Sequence, residues 1–260
     1  MRDSKLLTYT YVCYILTVKG KRLRKGGDKL KSVVRIESAS KSFGSGNKKV
    51  DILDNIDLSI EPHQLVAFRG RSGSGKTTLL NLIGALDRPN SGEIYIEEQP
   101  IGQYNEKERS ELRRTKIGFV FQSYGLVPFM TVEENVIFGL RVADIPRQEW
   151  AGRIEESLEL VGLSNRSKHY PYELSGGEQQ RVAIARTIGV RPTLILADEP
   201  TAELDSKTGF NIIHVFQELV KKQLTTIIMT SHDPIILEMI EHVYTLEDRK
   251  IAYKKNESVI

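Results

Sequence analysis

The sequence predicts an α/β fold with a mainly parallel β-sheet, and three observations support that prediction. Two apolar runs, at residues 64–69 and 194–197, are typical of strands that are buried on both faces. The first run is followed by a glycine-rich loop and by a helix-forming segment, residues 78–86. The second run ends in two acids, Asp198 and Glu199. Because ligands bind at the carboxyl ends of strands in open α/β sheets, both strand ends are candidates for one site.

Composition is that of an ordinary globular protein. The chain has 260 residues, of which 40% are hydrophobic and 27% charged. These values suit one large domain or one domain with an inserted lobe. The single cysteine, Cys13, excludes an internal disulfide and a cysteine-based metal cluster in this sequence, in agreement with a reducing cytosol.

The net charge of +3 hides an uneven distribution. Residues 19–31 contain seven basic side chains against Asp28 alone, a net of +6, so the rest of the chain carries about −3. A body that is not basic argues against a nucleic-acid-binding function.

The N-terminal residues have several interpretations. Residues 6–18 are apolar but too few to span a bilayer, and no A-x-A cleavage site follows them. A frayed tail, a membrane-surface anchor and translation from an upstream start codon all remain open. We expect residues 1–31 to be a poorly ordered extension, residues 32–254 to form the main domain and residues 255–260 to be a C-terminal tail.

Residues 70–78 fit G-x-x-x-x-G-K-[ST], the phosphate-binding loop of nucleotide hydrolases. Glycines let backbone N–H groups turn onto phosphate oxygens without a side-chain clash, and the following helix N-terminus adds a positive field. Lys76 is predicted to reach the β- and γ-phosphates of a nucleotide, and the Thr77 hydroxyl to ligate Mg²⁺. The candidate nucleotide-binding residues of the loop are Gly70, Arg71, Ser72, Gly73, Ser74, Gly75, Lys76, Thr77 and Thr78.

Strand-like alternation predicts an antiparallel sheet beside this loop. The pattern occurs at residues 33–43, 52–60 and 92–96. Phe43 closes the first of these strands and could stack on an adenine ring. On sequence alone, an ordinary strand aromatic is the better interpretation of Phe43.

Helices dominate the stretch of about residues 123–175, with segments predicted at 131–142 and 147–161. The first segment opens with a capping box formed by Thr131 and Glu134. Because strands lie on both sides, this stretch is predicted to be an inserted α-helical subdomain.

A further helix begins at Ser175, Gly176 and Gly177. Ser175 is a good N-cap residue, and simple capping would explain it. The glycines also expose the first N–H groups of the helix, and the second glycine argues for close approach by a ligand or another backbone.

Polar residues follow two buried strands. Asp198 suits a water-mediated contact to Mg²⁺, and Glu199 suits a general base that activates water. Residues 225–230 are predicted to be the last buried strand, and His232 follows them closely enough to contact phosphate.

These motifs occur in one order: phosphate loop, Gln122, LSGGEQQR, LILADEP, AELD and His232. Over about residues 33–254, that order resembles the ATP-binding subunit of ABC transporters, and LSGGEQQR is highly specific to this superfamily. GALDRPNSGEI, GFVFQ and HYPYELSGGEQQRVAIAR are similar to the group that includes MacB-type exporters, LolD-type lipoprotein-release ATPases, FtsE and BceA-type peptide-resistance ATPases. The resemblance implies a P-loop NTPase (RecA-like) core with a mainly parallel sheet, an antiparallel β subdomain and an inserted α-helical subdomain.

The resemblance also implies a mechanism. Two copies of the domain would sandwich two ATP molecules. Each ATP would lie between residues 70–78 of one copy and the LSGGEQQR segment, residues 174–181, of the other; we call this segment the signature and the helix that it begins the signature helix. Gln122 would reach Mg²⁺, His232 would contact the γ-phosphate, and Phe43 becomes an expected partner of adenine. The residues implied to act across the dimer are Ser175, Gly176, Gly177 and Asp205.

Some residues depart from the family pattern. Glu203 stands where Asn or Ala is usual, which would alter communication across the interface. Arg71 replaces a frequent Pro, and Thr77 replaces Ser but keeps the hydroxyl. Tyr124 and Gly125 replace a common Phe-Asn pair near the expected permease contact. All catalytic residue types are present, so we expect an active ATPase.

The implied function is an ATPase subunit that drives a separate MacB/FtsX-type integral-membrane permease. Export, lipid or lipoprotein extraction and resistance to antimicrobial peptides are the expected processes, with the subunit cytoplasmic and peripheral on the inner face of the membrane. An FtsE-like mechanical regulator that moves no solute is an alternative that the sequence does not separate. A repair ATPase of the SMC or UvrA kind would carry long coiled coils or zinc modules, so no nucleic acid is expected as a partner.

Overall fold

The computed structural model describes residues 32–256. The predicted extension at residues 1–31 and residues 257–260 of the predicted tail lie outside the described residues. The strands are Val34–Phe43 (β1), Val50–Ile60 (β2), Leu65–Arg69 (β3), Ser91–Ile96 (β4), Gln99–Pro100 (β5), Ile117–Val120 (β6), Leu194–Ala197 (β7), Thr226–Ser231 (β8), His242–Glu247 (β9) and Lys250–Lys255 (β10). The α-helices are Lys76–Ile83 (α1), Glu106–Thr115 (α2), Val132–Val142 (α3), Trp150–Leu160 (α4), Gly176–Gly189 (α5), Ser206–Lys221 (α6) and Pro234–Glu238 (α7).

The strands form two sheets. A four-stranded antiparallel sheet has the order β2-β1-β4-β5, and a six-stranded sheet has the order β10-β9-β3-β8-β7-β6. In the second sheet every neighbouring pair is parallel except β9 and β10. The predicted α/β fold, with a mainly parallel sheet and a separate antiparallel sheet, is confirmed.

The six-stranded sheet separates two hydrophobic clusters. Along β3, Ala67 belongs to the cluster under α3, α5 and α6, while Val66 and Phe68 belong to the cluster under α1 and the antiparallel sheet. Side chains alternate between the faces of a strand, so an apolar run fills both clusters at once. This is why β3, β7 and β8, the central strands of the sheet, are largely apolar and buried.

Helices α3, α4 and α5 pack together between β6 and β7 in chain order. The predicted capping box at α3 is confirmed, because the Thr131 hydroxyl accepts from the Glu134 N–H. Buried Asn135 binds the backbone of the preceding loop at Val127 and Met130. No helix among residues 32–256 is long and apolar enough to cross a membrane.

Strand β8 matches the segment predicted as the last buried strand, but two later strands were not predicted. Strand β9 adds to the free side of β3, and β10 pairs with β9. Strand β9 is only partly buried and the residues of β10 are almost all exposed, so neither carries the apolar run that marked the central strands. The long helix α6 was also not predicted.

Candidate active site

The glycine loop joins the carboxyl end of β3 to the first turn of α1. Gly73 and Gly75 have φ values of 77° and 99°, in the left-handed region that favours glycine. A Cβ atom on Gly75 would lie 3.0 Å from the side chains of Ile52 and Leu53. The loop conformation therefore depends on glycine at this position both for backbone and for packing.

Lys76 lies at the start of α1 and is 8% exposed. Its ammonium group donates to the carbonyl oxygens of Gly70 (2.9 Å) and Arg71 (3.1 Å). An ammonium has three N–H donors, so it can hold the loop and still donate to an anion. The contacts bring the positive charge of Lys76 against the loop that the sequence assigns to phosphate.

Ser74 provides an independent test of whether a polar ligand fits the loop. Its Oγ atom is buried and has no hydrogen-bond partner among residues 32–256. A buried hydroxyl without a partner costs free energy unless a ligand or water satisfies it. Beside two left-handed glycines and the Lys76 ammonium, the Ser74 hydroxyl fits a phosphate oxygen.

Asp198 follows β7 and joins three segments of the site. Its carboxylate accepts from the Thr77 hydroxyl (3.1 and 3.3 Å) and from the Thr230 hydroxyl (2.7 Å). Hydroxyl and carboxylate oxygens are ligands that Mg²⁺ prefers. Among the described residues, there is no group of three or more acidic, histidine or cysteine side chains that could hold a metal ion. This sparse donor set fits Mg²⁺, which is commonly bound by one or two carboxylates together with substrate phosphates.

Glu199 and His232 form a close pair. Glu199 Oε2 lies 2.8 Å from His232 Nδ1, and the Glu199 N–H donates to the Thr230 hydroxyl at 2.8 Å. Glu199 has a φ of 48°, an unfavourable value for a residue with a side chain, and such backbone strain is concentrated at functional sites. The side chain of Glu199 is 20% exposed and that of His232 is 68% exposed.

Gln122 lies two residues after β6 and contacts Glu203. Its amide nitrogen Nε2 donates to Glu203 Oε1 at 3.3 Å. Burial, and secondarily the negative charge of Glu203, raise the pKa of the Tyr124 phenol above its ordinary value. The hydroxyl oxygen of Tyr124 lies 2.9 Å from the position of a Cβ atom on Gly176, so Tyr124 joins this group to the start of α5.

The signature residues begin α5 through a capping box. The Ser175 hydroxyl accepts from the Glu178 N–H, and the Glu178 carboxylate accepts from the Ser175 N–H at 2.9 Å. That backbone hydrogen bond is the main cause that lowers the pKa of Glu178. Within residues 32–256, no hydrogen bond joins Ser175, Gly176 or Gly177 to the glycine loop.

Asp205 caps α6 beside the signature. Its carboxylate accepts from the side-chain hydroxyl and the backbone N–H of Thr208, and these bonds lower the pKa of Asp205. A Cβ atom on Gly177 would come within 2.0 Å of the Thr208 methyl carbon. Gly177 therefore permits close approach between α5 and the first turn of α6.

Phe43 lies at the end of β1, with 47% of its surface exposed. The Lys41 ammonium lies 5.0 Å from the centre of the Phe43 ring and binds Asp87 at 2.7 Å. No hydrogen bond or aromatic stacking within the described residues joins Phe43 to the glycine loop. Its stacking on adenine stays a prediction.

Two contributors were not identified from the sequence. Thr230 connects Asp198 to Glu199, and its position near the carboxyl end of a buried strand is the signal that could have identified it. Arg186 on α5 donates to the carbonyl oxygens of Tyr124 (3.2 Å) and Gly125 (2.6 Å). Burial lowers the pKa of this guanidinium. Arg186 fixes the backbone that follows Gln122.

Comparison with known proteins agrees with the fold and the motifs. A family model described as ABC transporter matches residues 53–202. The chain is 39% identical over 220 residues to the lipoprotein-releasing system ATP-binding protein LolD of Hahella chejuensis, and the match covers 85% of this chain and 95% of the relative.

Two of the solved structures to which the chain is similar are ATP-binding cassettes or part of an ABC transporter complex. The dimeric post-hydrolysis structure of the ATP-binding cassette MJ0796 of Methanocaldococcus jannaschii, bound to ADP and Pi, matches with a TM-score of 0.77 and 37% identity over 86% of this chain and 99% of that one. The cbiO1 protein of Clostridium perfringens, part of the ABC transporter complex cbiONQ, matches with a TM-score of 0.79 and 28% identity over 87% of this chain and 89% of that one.

The glycine loop, the acidic end of β7 and the signature helix define a nucleotide-binding ATPase of the P-loop class. The chain belongs to the ABC transporter family and is an ATP-binding cassette of that family, with ATPase activity.

Proposed function

We propose that this chain hydrolyses ATP with Glu199 as the general base, acts as a dimer of two copies, and drives a membrane permease carried on a separate chain. The cluster at the carboxyl ends of β7 and β8 carries the proposal. There hydrogen bonds of 2.7–3.3 Å join Thr77 to Asp198 and Glu199 to His232, and Thr230 binds both Asp198 and Glu199.

The hydrolytic step follows from the groups at this cluster. Lys76 and the N–H groups of residues 70–78 bind the β- and γ-phosphates. Glu199 accepts a proton from a water molecule whose oxygen attacks the γ-phosphorus, and the bond between the γ-phosphorus and the bridging oxygen breaks to give ADP and phosphate. His232 contacts Glu199 through Nδ1, so a contact to the γ-phosphate would be made by Nε2, which must carry a proton to donate to a phosphate oxygen.

Thr77, Asp198 and Gln122 would hold Mg²⁺, which when bound neutralises charge on the phosphate oxygens. Thr77 and Asp198 are already within hydrogen-bond distance of one another. Gln122 supplies a third side chain from the end of β6. The oxygen donors of all three residues support this assignment.

The second half of the site would come from another copy of the chain. Ser175, Gly176 and Gly177 expose the N-terminal N–H groups of α5, a favourable place for an anion. Asp205 is exposed near the same helix start and would contact the partner across the interface. The dimeric MJ0796 structure with ADP and Pi supports this arrangement.

A permease partner is supported by exposed aromatic side chains near the Gln122 loop and the helical segment. Phe129 is 86% exposed, and Phe121 and Phe138 are 45% and 40% exposed. Contiguous exposed apolar patches are typical of protein contact sites, and these side chains are candidates for such a contact. The relationship to LolD favours extraction or export of lipid-linked cargo, with this subunit at the inner face of the membrane. A neighbouring gene for a four-helix permease with a large extracytoplasmic domain would support this partner.

The Glu199→Gln variant tests the central assignment. Loss of the general base should lower hydrolysis by about 10²–10⁴-fold while ATP binding persists. Sedimentation at saturating Mg-ATP and high protein concentration should then show a trapped dimer. Glu155→Gln, at an exposed position on α4, is the matched control and should hydrolyse ATP at the wild-type rate. Wild-type turnover in Glu199→Gln would contradict the base assignment, and a persistent monomer would contradict the composite site.

A further inference from the structure

We infer that Glu203 is a positioning residue that orients the side-chain amide of Gln122, so that its oxygen and not its nitrogen faces the cation bound with ATP. The inference rests on the proposed role of Gln122 as a ligand of Mg²⁺. Glu203 itself would touch neither the cation nor the nucleotide. It would act only through Gln122.

The chemistry of the two side chains determines the orientation. The Gln122 Nε2 group donates to Glu203 Oε1 at 3.3 Å. An ionised carboxylate can only accept hydrogen bonds, whereas an amide has one donating end and one accepting end of nearly equal size. The carboxylate of Glu203 therefore selects the NH₂ end of Gln122 and leaves the Oε1 atom of Gln122 available to a cation. Because Mg²⁺ binds oxygen, this is the end that a cation requires.

Glu203 is held in place by the turns that connect β7 to α6. The Ala202 N–H donates to the Glu199 carbonyl and the Leu204 N–H donates to the Thr201 carbonyl, each at 3.2 Å. Two residues later, Asp205 caps α6. The turn that presents Glu203 therefore begins at the proposed catalytic base and ends at a fixed helix start.

Gln122 is held from the other side by α5. Arg186 binds the carbonyl oxygens of Tyr124 and Gly125, and the Thr187 hydroxyl donates to the Phe119 carbonyl at 3.0 Å. The backbone on both sides of Gln122 is thus attached to one helix. With the backbone fixed, the freedom left to Gln122 lies in its side-chain torsions, and the hydrogen bond to Glu203 restricts them.

The residue type at position 203 matters for this role. An alanine would place no acceptor near Gln122, and an amide side chain could present either end to it. Glu203→Gln keeps the size of the side chain but removes the selection for the NH₂ end of Gln122. It is therefore the variant that separates orientation from packing, and Glu203→Asp is the conservative variant that keeps an acceptor of the same charge.

The test measures equilibrium binding of a fluorescent ATP analogue to the full chain as Mg²⁺ is varied, with a parallel titration in EDTA. Glu203→Gln should leave affinity in EDTA unchanged and raise the half-saturating Mg²⁺ concentration by about 10-fold, the lower end of effects seen when a group orienting a metal ligand is removed. Glu203→Asp should recover part of that loss.

Electron paramagnetic resonance of Mn²⁺ in place of Mg²⁺ should show a changed signal in Glu203→Gln with bound ATP. Glu238→Gln, at an exposed position on α7, removes one negative charge as a control and should behave as the wild type.

A double variant distinguishes action through Gln122 from an independent effect. In a Gln122→Ala background, Glu203→Gln should add nothing to the Mg²⁺ requirement. Additive losses, or an unchanged Mg²⁺ requirement in Glu203→Gln while Gln122→Ala raises it, would overturn the inference alone. An unchanged requirement in Gln122→Ala would remove the proposed role of Gln122 as a ligand, and the inference with it.

Discussion

The glycine loop and the signature begin two helices in different ways. At α1, the loop is packed against the antiparallel sheet, Lys76 is buried, and Thr77 is hydrogen-bonded to Asp198, which follows β7. At α5, Ser175 is exposed and its hydrogen bonds go to Glu178 of its own helix. One helix start is integrated into the sheet edge, while the other is capped by its own residues.

This difference indicates that the two helix starts have different roles. A helix start that is integrated into the sheet can bind phosphate within a single chain. A helix start that is capped by itself and faces outward contributes only when another molecule approaches it. We therefore propose two anion-binding helix starts. Among residues 32–256, hydrogen bonds join the first to Asp198, a proposed Mg²⁺ ligand, whereas the side chain of Ser175 at the second binds Glu178 of its own helix.

The largest expected effect is a loss of ATP affinity when a residue of the glycine loop is changed. Lys76→Ala should weaken ATP binding to the single chain by about 10–100-fold, because charge-assisted hydrogen bonds contribute roughly 1.5–3 kcal/mol. Equilibrium binding at protein concentrations where the chain is monomeric measures this effect, with Lys107→Ala as a control at an exposed position on α2. An equal loss in Ser175→Ala under these conditions would contradict the division between the two helix starts.

The next effect concerns packing at the signature. In Gly177→Ala the new methyl group would meet the Thr208 methyl group, so the variant should be destabilised by about 1–3 kcal/mol, the usual cost of overpacking. Urea unfolding measures the change. Thr208→Ser removes the opposing methyl and keeps the hydroxyl that binds Asp205, so it should restore most of the lost stability. Failure of this rescue would show that the cost lies elsewhere than in this contact.

Substitution of a glycine at the first helix start should destabilise the protein for a different reason. No atom lies within 4 Å of a Cβ placed on Gly73, but its φ is 77°. Gly73→Ala should therefore cost about 1–2 kcal/mol through backbone strain. No neighbouring substitution should rescue it in urea unfolding. Rescue by any neighbouring truncation would contradict this explanation and remove the contrast with Gly177.

The sequence predicted the parts of this molecule that depend on local chemistry. The conformation of residues 70–78 follows from its glycines, and the approach of Thr77 to Asp198 follows from both being at carboxyl ends of strands in one sheet. The hydrogen bond from Arg186 to the Gly125 carbonyl joins residues 61 positions apart, and no local pattern in the sequence predicts it. Strands β9 and β10 were missed because an edge strand has few buried positions, so its apolar pattern is weak. Glu203 was noticed only as a departure from a pattern, and its contact to Gln122 required the fold.

The smallest expected effect is a pH dependence confined to the signature side. The Ser175 N–H lowers the pKa of Glu178 below its value in the unfolded chain, which is about 4.3. A carboxyl group with a lowered pKa contributes stability that is fully present above the unfolded pKa and is lost as pH falls through the folded pKa. The start of α5 should therefore loosen below about pH 4.3, whereas α1 has no acidic residue in its first turn and should show no such change from a cap of its own.

Glu178→Gln isolates this contribution, because glutamine can still accept the Ser175 N–H in a capping box but does not titrate in this range. The unfolding free energy of the variant, measured in urea from pH 6 to pH 3.5, should fall less steeply with pH than that of the wild type. Asp205 also has a lowered pKa and remains in both proteins, so the difference between the two slopes, and not either slope alone, reports Glu178. Glu155→Gln should keep the wild-type slope. Identical slopes in Glu178→Gln and the wild type would show that the cap does not titrate with folding, and would remove the difference in pH dependence between the two helix starts.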